Sequence, residues 1–345
     1  MMNYNDFVLS EDMALSCWLM YWLEMYVRPT AKPSTYESYR GHCEQHIIPA
    51  LGNIRLKDLT SKQIQQFLNK EAKTGNGKNG GALSPKTMRN MRVVLDVALK
   101  QALAEELIHS NPIPLTVIKS ARTKKLEVMT DDMQETLDKY LIETKNPYHP
   151  AIRFDLYTGM RRGELCALRW RDYNEKTGRI TVDETVRRLT NYDAKPGEPK
   201  TIMVFNDTKT ESSYRELQLP GFLQELIDEQ KRMFASKYRI PQPDDFIFFS
   251  SNGKMLDPDN LQHHFLRILR KLGMEHVKFH AIRHTFATRA IESGIAVSTV
   301  SGLLGHANVT TTTRFYVHPR EKAMTQAMSN LTPVYRPNET DRLAS

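Results

Sequence analysis

The chain holds only three cysteines in 345 residues, Cys17, Cys43 and Cys166, far apart and odd in number. That excludes a disulfide framework and a cysteine-based metal site, and it fits a reducing cytoplasm. There is no run of about 18 apolar residues, which excludes a transmembrane helix, so no membrane partner is expected. The most apolar early stretch, residues 13–27, carries Glu24 and lacks both a basic leader and a small-residue cleavage site, so it is not a signal peptide. The glycine-rich run at 74–81 reads as a loop without the Gly-Lys-Ser/Thr ending of a nucleotide-binding P-loop. Internal repeats and low-complexity tracts are also missing.

What remains is an ordinary globular composition, 40% hydrophobic and 26% charged, long enough for two domains. The 48 Lys+Arg against 40 Asp+Glu leave a net charge of +8, spread unevenly. Residues 1–125 carry 17 basic and 11 acidic side chains, net +6, and the remainder only +2. A basic first third suits a polyanionic partner, because each cation that meets a phosphate releases condensed counterions.

Helical patterning runs from 10 to 111. Trp18, Leu19, Trp22, Met25 and Tyr26 recur at the spacing of a core stripe. Thr60 with Gln63 reads as a capping box, and Ser84 followed by Pro85 as the start of a helix with Met88, Met91, Leu95, Ala98 and Ala102 on one face. Asn111-Pro112-Ile113-Pro114 is read as the stop of that helix. The expected organisation is a helical domain at 1–115, a basic linker at 116–126, a second domain at 127–331 and a polar, frayed tail at 332–345. Within the second domain, helical patterns at 131–142 and 151–168 give way to three strands at 179–187, 201–205 and 214–219, after which helices return. The fold class is mainly α, with a small antiparallel sheet.

Four segments of the second domain carry chemistry together. The first is Tyr157-Thr158-Gly159-Met160-Arg161-Arg162-Gly163-Glu164-Leu165, a glycine break followed by arginines at a helix start. Next comes the polar turn Thr208-Lys209-Thr210, then Phe279-His280-Ala281-Ile282-Arg283-His284, where His280 and Arg283 share a helix face. Last is Leu303-Leu304-Gly305-His306, with Tyr316 ten residues on. Two arginines, a lysine, two histidines and a tyrosine with no carboxylate dyad suit a phosphodiester. Guanidinium forks neutralise charge that a metal would otherwise carry, and a tyrosine needs such a cationic site to act as a nucleophile. His276, His280 and His284, four apart, are the rival zinc reading. No glutamate follows the first of them, and Gly273 and Phe279 argue against one helix from His276, so no metal is expected.

The order of these segments resembles the signature boxes of the tyrosine recombinase, or phage integrase, family. The resemblance covers about residues 10–330 and makes 1–115 a core-binding domain and 127–331 the catalytic domain. It implies Arg161 and Arg283 as phosphate clamps, Lys209 as general acid, His280 in proton transfer, His306 as a hydrogen-bond donor and Tyr316 as nucleophile. A 3′-phosphotyrosyl link stores the energy of the cleaved bond, so no cofactor is implied. The basic linker residues Lys119, Arg122, Lys124 and Lys125, with Lys86 and Arg89, are the candidate DNA contacts. The implied partners are double-stranded DNA with specific core sites, further copies of the chain forming a homotetramer on two sites, and accessory DNA-bending or excision factors. The implied setting is the bacterial cytoplasm at the nucleoid. The hairpin and the insert at 191–200 bring the chain nearer to mobile-element integrases than to chromosome-dimer resolvases. Only about ten residues precede the first helix, too few for the arm-DNA-binding domain such integrases commonly carry. Either the recombinase works without arm sites or that domain is missing from the sequence. A type IB topoisomerase and an inactive DNA-binding relative are the alternatives.

Overall fold

The structure, a computed structural model, describes residues 9–75, 80–119, 127–207 and 214–306. The chain divides into two compact units, Met1–Lys124 with Leu189–Thr201, and Lys125–Arg188 with Ile202–Ser345. Among the described residues, no helix is long and apolar enough to cross a membrane.

The first unit is helical: α1 (Leu15–Trp22), α2 (Pro33–His42), α3 (Ile48–Leu51), α4 (Ser61–Thr74) and α5 (Pro85–Ala104). α1 runs on into a π turn at Leu23–Val27. The wider turn rotates the apolar stripe, so Leu23 and Val27 are buried and Met25, expected in the core, is 38% exposed. A second π turn, Cys43–Ile47, joins α2 to α3 just before Pro49, which has no N–H to give the preceding turn. The capping box of α4 forms as expected: Thr60 Oγ1 accepts from the Gln63 N–H at 3.3 Å and Gln63 Oε1 from the Thr60 N–H at 2.8 Å. Ser84 Oγ caps α5 at 3.1 Å from the Thr87 N–H, and Met88, Met91, Leu95, Ala98 and Ala102 are buried. Trp18 ties α1 to α5 through Nε1–H and the Ala98 carbonyl at 3.0 Å.

α5 ends seven residues before the expected stop at Asn111. Glu106 adopts a left-handed φ of +58°, and the Leu107 N–H returns to the Ala102 carbonyl at 2.9 Å. This is a helix-ending motif that usually uses glycine. Leu189–Thr201, far along the chain, packs inside this unit. Its Tyr192 ring lies under the Arg40 guanidinium at 4.3 Å, and Thr190 donates to Glu37 Oε1 through N–H and Oγ1–H, both at 2.7 Å.

The second unit holds α6 (Asp131–Glu143), α7 (His149–Thr158), α8 (Arg162–Ala167), β1 (Tyr173–Asn174), β2 (Arg179–Val182), β3 (Glu184–Thr190) as far as Arg188, β4 (Thr201–Asp207) from Ile202, β5 (Arg215–Gln218), α9 (Gly221–Lys237), α10 (Pro258–Lys271), α11 (Ala281–Glu292) and α12 (Val297–Leu304). The first predicted strand is in fact two, because the chain changes sheets at Asp183. β2 pairs antiparallel with β1 and β5, while β3 pairs with β4. The core is built by α6, α7 and α9–α11 around Phe154, Phe248, Phe265 and Ile282. A satellite cluster of Ala287, Ala290, Val300 and Leu304 packs α12 on α11.

Candidate active site

The site grows from two glycine stops. α7 ends at Gly159 with φ +59°, where a Cβ would also meet the Phe286 ring at 2.5 Å, so no other residue fits without strain. That turn delivers Arg161 to the N-cap of α8. α12 ends at Gly305 with φ +64°, and the His306 N–H returns to the Ser301 carbonyl at 3.0 Å, which fixes where the histidine begins.

Between these turns lies Arg283, 2% exposed, in the first turn of α11. It donates through Nη1 to the Gly159 carbonyl at 2.9 Å and through Nη2 to the Leu304 carbonyl at 2.6 Å. Arg161 donates through Nη2 to the Gly305 carbonyl at 2.9 Å and through Nη1 to Glu164 Oε1 at 2.7 Å. Its own N–H also reaches Glu164 Oε2, at 3.0 Å. Arg161 keeps 39% of its side chain open to solvent, so it can turn a face toward an incoming anion.

Electrostatics follow from this concentration of cations. His306 is pushed down to about 4 by burial first and then by the charges of Arg283 and Arg161. His284 falls to about 4 for the same first reason, helped by His280 and Arg283. His280, edge-on to His284 with centroids 4.6 Å apart, is lowered by the packing around its ring, then by Arg283 and Arg161, although its outer edge is open to water. Glu164, 1% exposed, is opposed by burial, yet Arg215 and Arg161 hold it below the usual carboxylate range. Behind them Asp155 is 1% exposed, and burial drives it well above its usual value despite Arg283.

Of the residues expected from sequence, Arg161, His280, Arg283 and His306 converge here. Lys209 and Tyr316 lie outside the described residues, as do Arg122, Lys124, Lys125 and the tail expected at 332–345. Lys119, Lys86 and Arg89 are exposed in the first unit. His280 is the N-cap of α11 rather than inside it, but its αR backbone preserves the three-residue relation to Arg283. His276 lies before the helix, so the spacing of four does not put three histidines on one face. Among the described residues, no group of three metal-ligating side chains is gathered. A cavity of about 570 Å³ on the α6 side shares no residue with this cluster, and Asp131, Glu135, Asp138 and Glu143 in its lining would repel a phosphate.

Sequence reading passed over Glu164, Asp155 and Arg215. Only Arg215 left a legible trace: it shares the parity of Leu217 and Leu219, the buried face of β5.

Guanidiniums and neutral imidazoles gathered at helix ends, in a helical unit with a small sheet, define a protein built to hold a phosphodiester. Residues 127–323 match the phage integrase family, and residues 14–72 the N-terminal SAM-like domain of phage integrases. The chain belongs to the phage integrase family and is a tyrosine-type site-specific recombinase. It is 29% identical over 337 residues to a tyrosine recombinase XerC-like protein of Caldanaerobacter subterraneus subsp. tengcongensis, covering 94% of this chain and 84% of the relative. The Tn1549 transposon integrase in complex with a circular intermediate DNA is similar in fold, with a TM-score of 0.72 at 20% identity over 93% of this chain and all of that one. A lambda integrase tetramer bound to a Holliday junction gives 0.65 at 20% identity, over 90% and 80% of the two chains.

Proposed function

We propose that the chain binds duplex DNA at specific core sites and integrates or excises a mobile element, with the six expected residues in the following roles. Tyr316 Oη attacks the scissile phosphorus, and its new bond to phosphorus forms as the bond to the 5′ oxygen breaks. The products are a 3′-phosphotyrosyl link and a 5′-hydroxyl, whose oxygen takes its proton from Lys209. Arg161 and Arg283 neutralise the non-bridging oxygens, and His306 donates a hydrogen bond to one of them. His280, kept neutral among cations, accepts the tyrosine proton. Attack by the partner strand's 5′-hydroxyl reverses the bond changes, so rejoining needs no ATP.

One observation carries this reading. Arg161 and Gly305, 144 residues apart, are joined by a hydrogen bond that sets the first arginine beside His306 and Arg283. Neutral histidines among guanidiniums are suited to donating to and accepting from a phosphodiester without adding to the clamp's own repulsion. Two copies on each of two DNA sites would make the working tetramer, the state in which the lambda integrase of similar fold was seen on a Holliday junction. Lys86, Arg89 and the basic 116–126 segment would follow the DNA backbone, and accessory DNA-bending or excision factors would set direction. The setting would be the nucleoid in the bacterial cytoplasm.

The test is a covalent adduct on a denaturing gel, formed with nicked duplex carrying a site selected from a randomised pool. Tyr316→Phe should bind that duplex as the unaltered protein does and form no adduct. An adduct at the unaltered rate would remove Tyr316 from the nucleophile's role.

A further inference from the structure

The three consecutive carbonyls that close α12 each accept from a different guanidinium. Leu303 accepts from Arg215, Leu304 from Arg283 and Gly305 from Arg161. A helix C-terminus leaves its last carbonyls without intrahelical partners and bears partial negative charge, so cations gather there for a physical reason. Two of these arginines belong to the phosphate clamp proposed above. The third has had no role.

Arg215 leaves only 6% of its side chain open, too little to meet DNA. Its Nε reaches the Leu303 carbonyl at 2.7 Å, and its Nη2 reaches Glu164 Oε2 at 2.7 Å. Glu164 in turn holds Arg161 by side chain and backbone. Leu303 lies three residues before His306. One guanidinium therefore spans both walls of the site, and its own starting point is set by the register of β5, where Arg215 faces Val182 of β2.

We propose that Arg215 is a positioning residue for strand cleavage, holding the Leu303–His306 turn and the Glu164–Arg161 pair in fixed relation. The proposal rests on Arg161 and His306 handling the phosphate. A lysine would keep the charge but offers one point donor in place of a planar fork, so it cannot hold both walls at this geometry. Simple truncation would strand Glu164 as a buried, weakly paired carboxylate and risk unfolding. Two variants avoid that: Arg215→Lys, and the pair Arg215→Gln with Glu164→Gln, which removes both charges together.

His306 supplies a readout that a merely structural role would leave unmoved. The charged and titratable groups acting on it are Arg283, His280 and His284 from α11 and its cap, Arg161 from the cap of α8, and Arg215 from β5. Loss of Arg215's charge takes away one repulsion, so the ring should accept a proton at higher pH.

The experiment uses the full chain with three measurements: affinity for the selected nicked duplex, single-turnover adduct formation on it, and a pH titration of ¹⁵N-labelled histidines. Arg215→Lys should bind within about threefold of the unaltered protein but form adduct about tenfold or more slowly, because small misplacements of reacting groups are costly. Its His306 resonances should shift while those of His46, in the first unit, stay in place. In the double variant the His306 resonances should shift as well, since the link between the two walls is gone. Adduct formation at the unaltered rate with unmoved His306 resonances would overturn the proposal. So would a parallel fall in affinity and rate, the mark of a DNA contact or of partial unfolding. If the unaltered protein made no adduct, the proposed function would fail, while the histidine titrations would still decide whether Arg215 holds His306.

Discussion

His284 and His306 make the electrostatics of the site measurable one side chain at a time. In an unfolded chain each would take up its proton near pH 6.5, roughly the reference value for histidine. In the folded protein neither does so until about 4. Between those values the unfolded state binds more protons. The two rings therefore contribute stability that is fully present above about pH 6.5 and is lost as the pH falls toward 4. His284→Asn, which cannot titrate, should lose less stability than the unaltered protein between pH 7 and pH 5 in urea unfolding. Equal losses would mean the ring is not held neutral. At this scale the short boxes were legible because each is local: Arg161 behind a glycine stop, His280 three before Arg283, His306 after Gly305. Asp155 and Glu164 were not, because nothing in their immediate neighbours tells that a carboxyl on a helix points into a buried nest of arginines contributed by distant segments.

Helix beginnings were read better than helix endings. Thr60 and Ser84 announce α4 and α5 by the chemistry of their own side chains, and both caps form. The end of α5 carries no such sign, since Glu106 occupies a left-handed position that glycine usually fills. A side chain there costs about 1–2 kcal/mol, partly offset by the greater freedom glycine has when unfolded, about 0.5–1 kcal/mol. Glu106→Gly should therefore stabilise the first unit by up to about 1 kcal/mol. Glu106→Ala, which keeps a Cβ, should not. Chemical unfolding followed by the fluorescence of Trp18 and Trp22, both buried in that unit, would show the difference. The strands were blurred for another reason: β2 and β3 are separated by Asp183 alone, and a run of β-rich residues does not reveal that its halves join different sheets.

For the whole chain, the uneven charge of the sequence makes a prediction of its own. Lys86 and Arg89 stand exposed on the outer face of α5, alongside Val93 and Val97. If each neutralises one phosphate, replacing both with alanine should flatten the dependence of log affinity on log salt by about 2, at roughly 0.9 per contact. An unchanged slope would place the DNA elsewhere. That Leu189–Thr201 would pack with the first unit could not be foreseen, because the reasons lie in Arg40, Glu37 and Tyr192, more than 140 positions apart in the chain. The arginine cap on α12 is as scattered, with bonds that reach back 21, 88 and 144 residues to Arg283, Arg215 and Arg161. A ribosome finishes Gly305 long after it has made Arg161, and until α12 leaves the exit tunnel none of the three guanidiniums has its carbonyl. An unfinished or prematurely terminated copy can thus carry most of the chain and still lack the assembled arginine cluster proposed to hold the phosphate. On the proposed roles, the capacity to break DNA comes later still, once Tyr316, beyond α12, has been made.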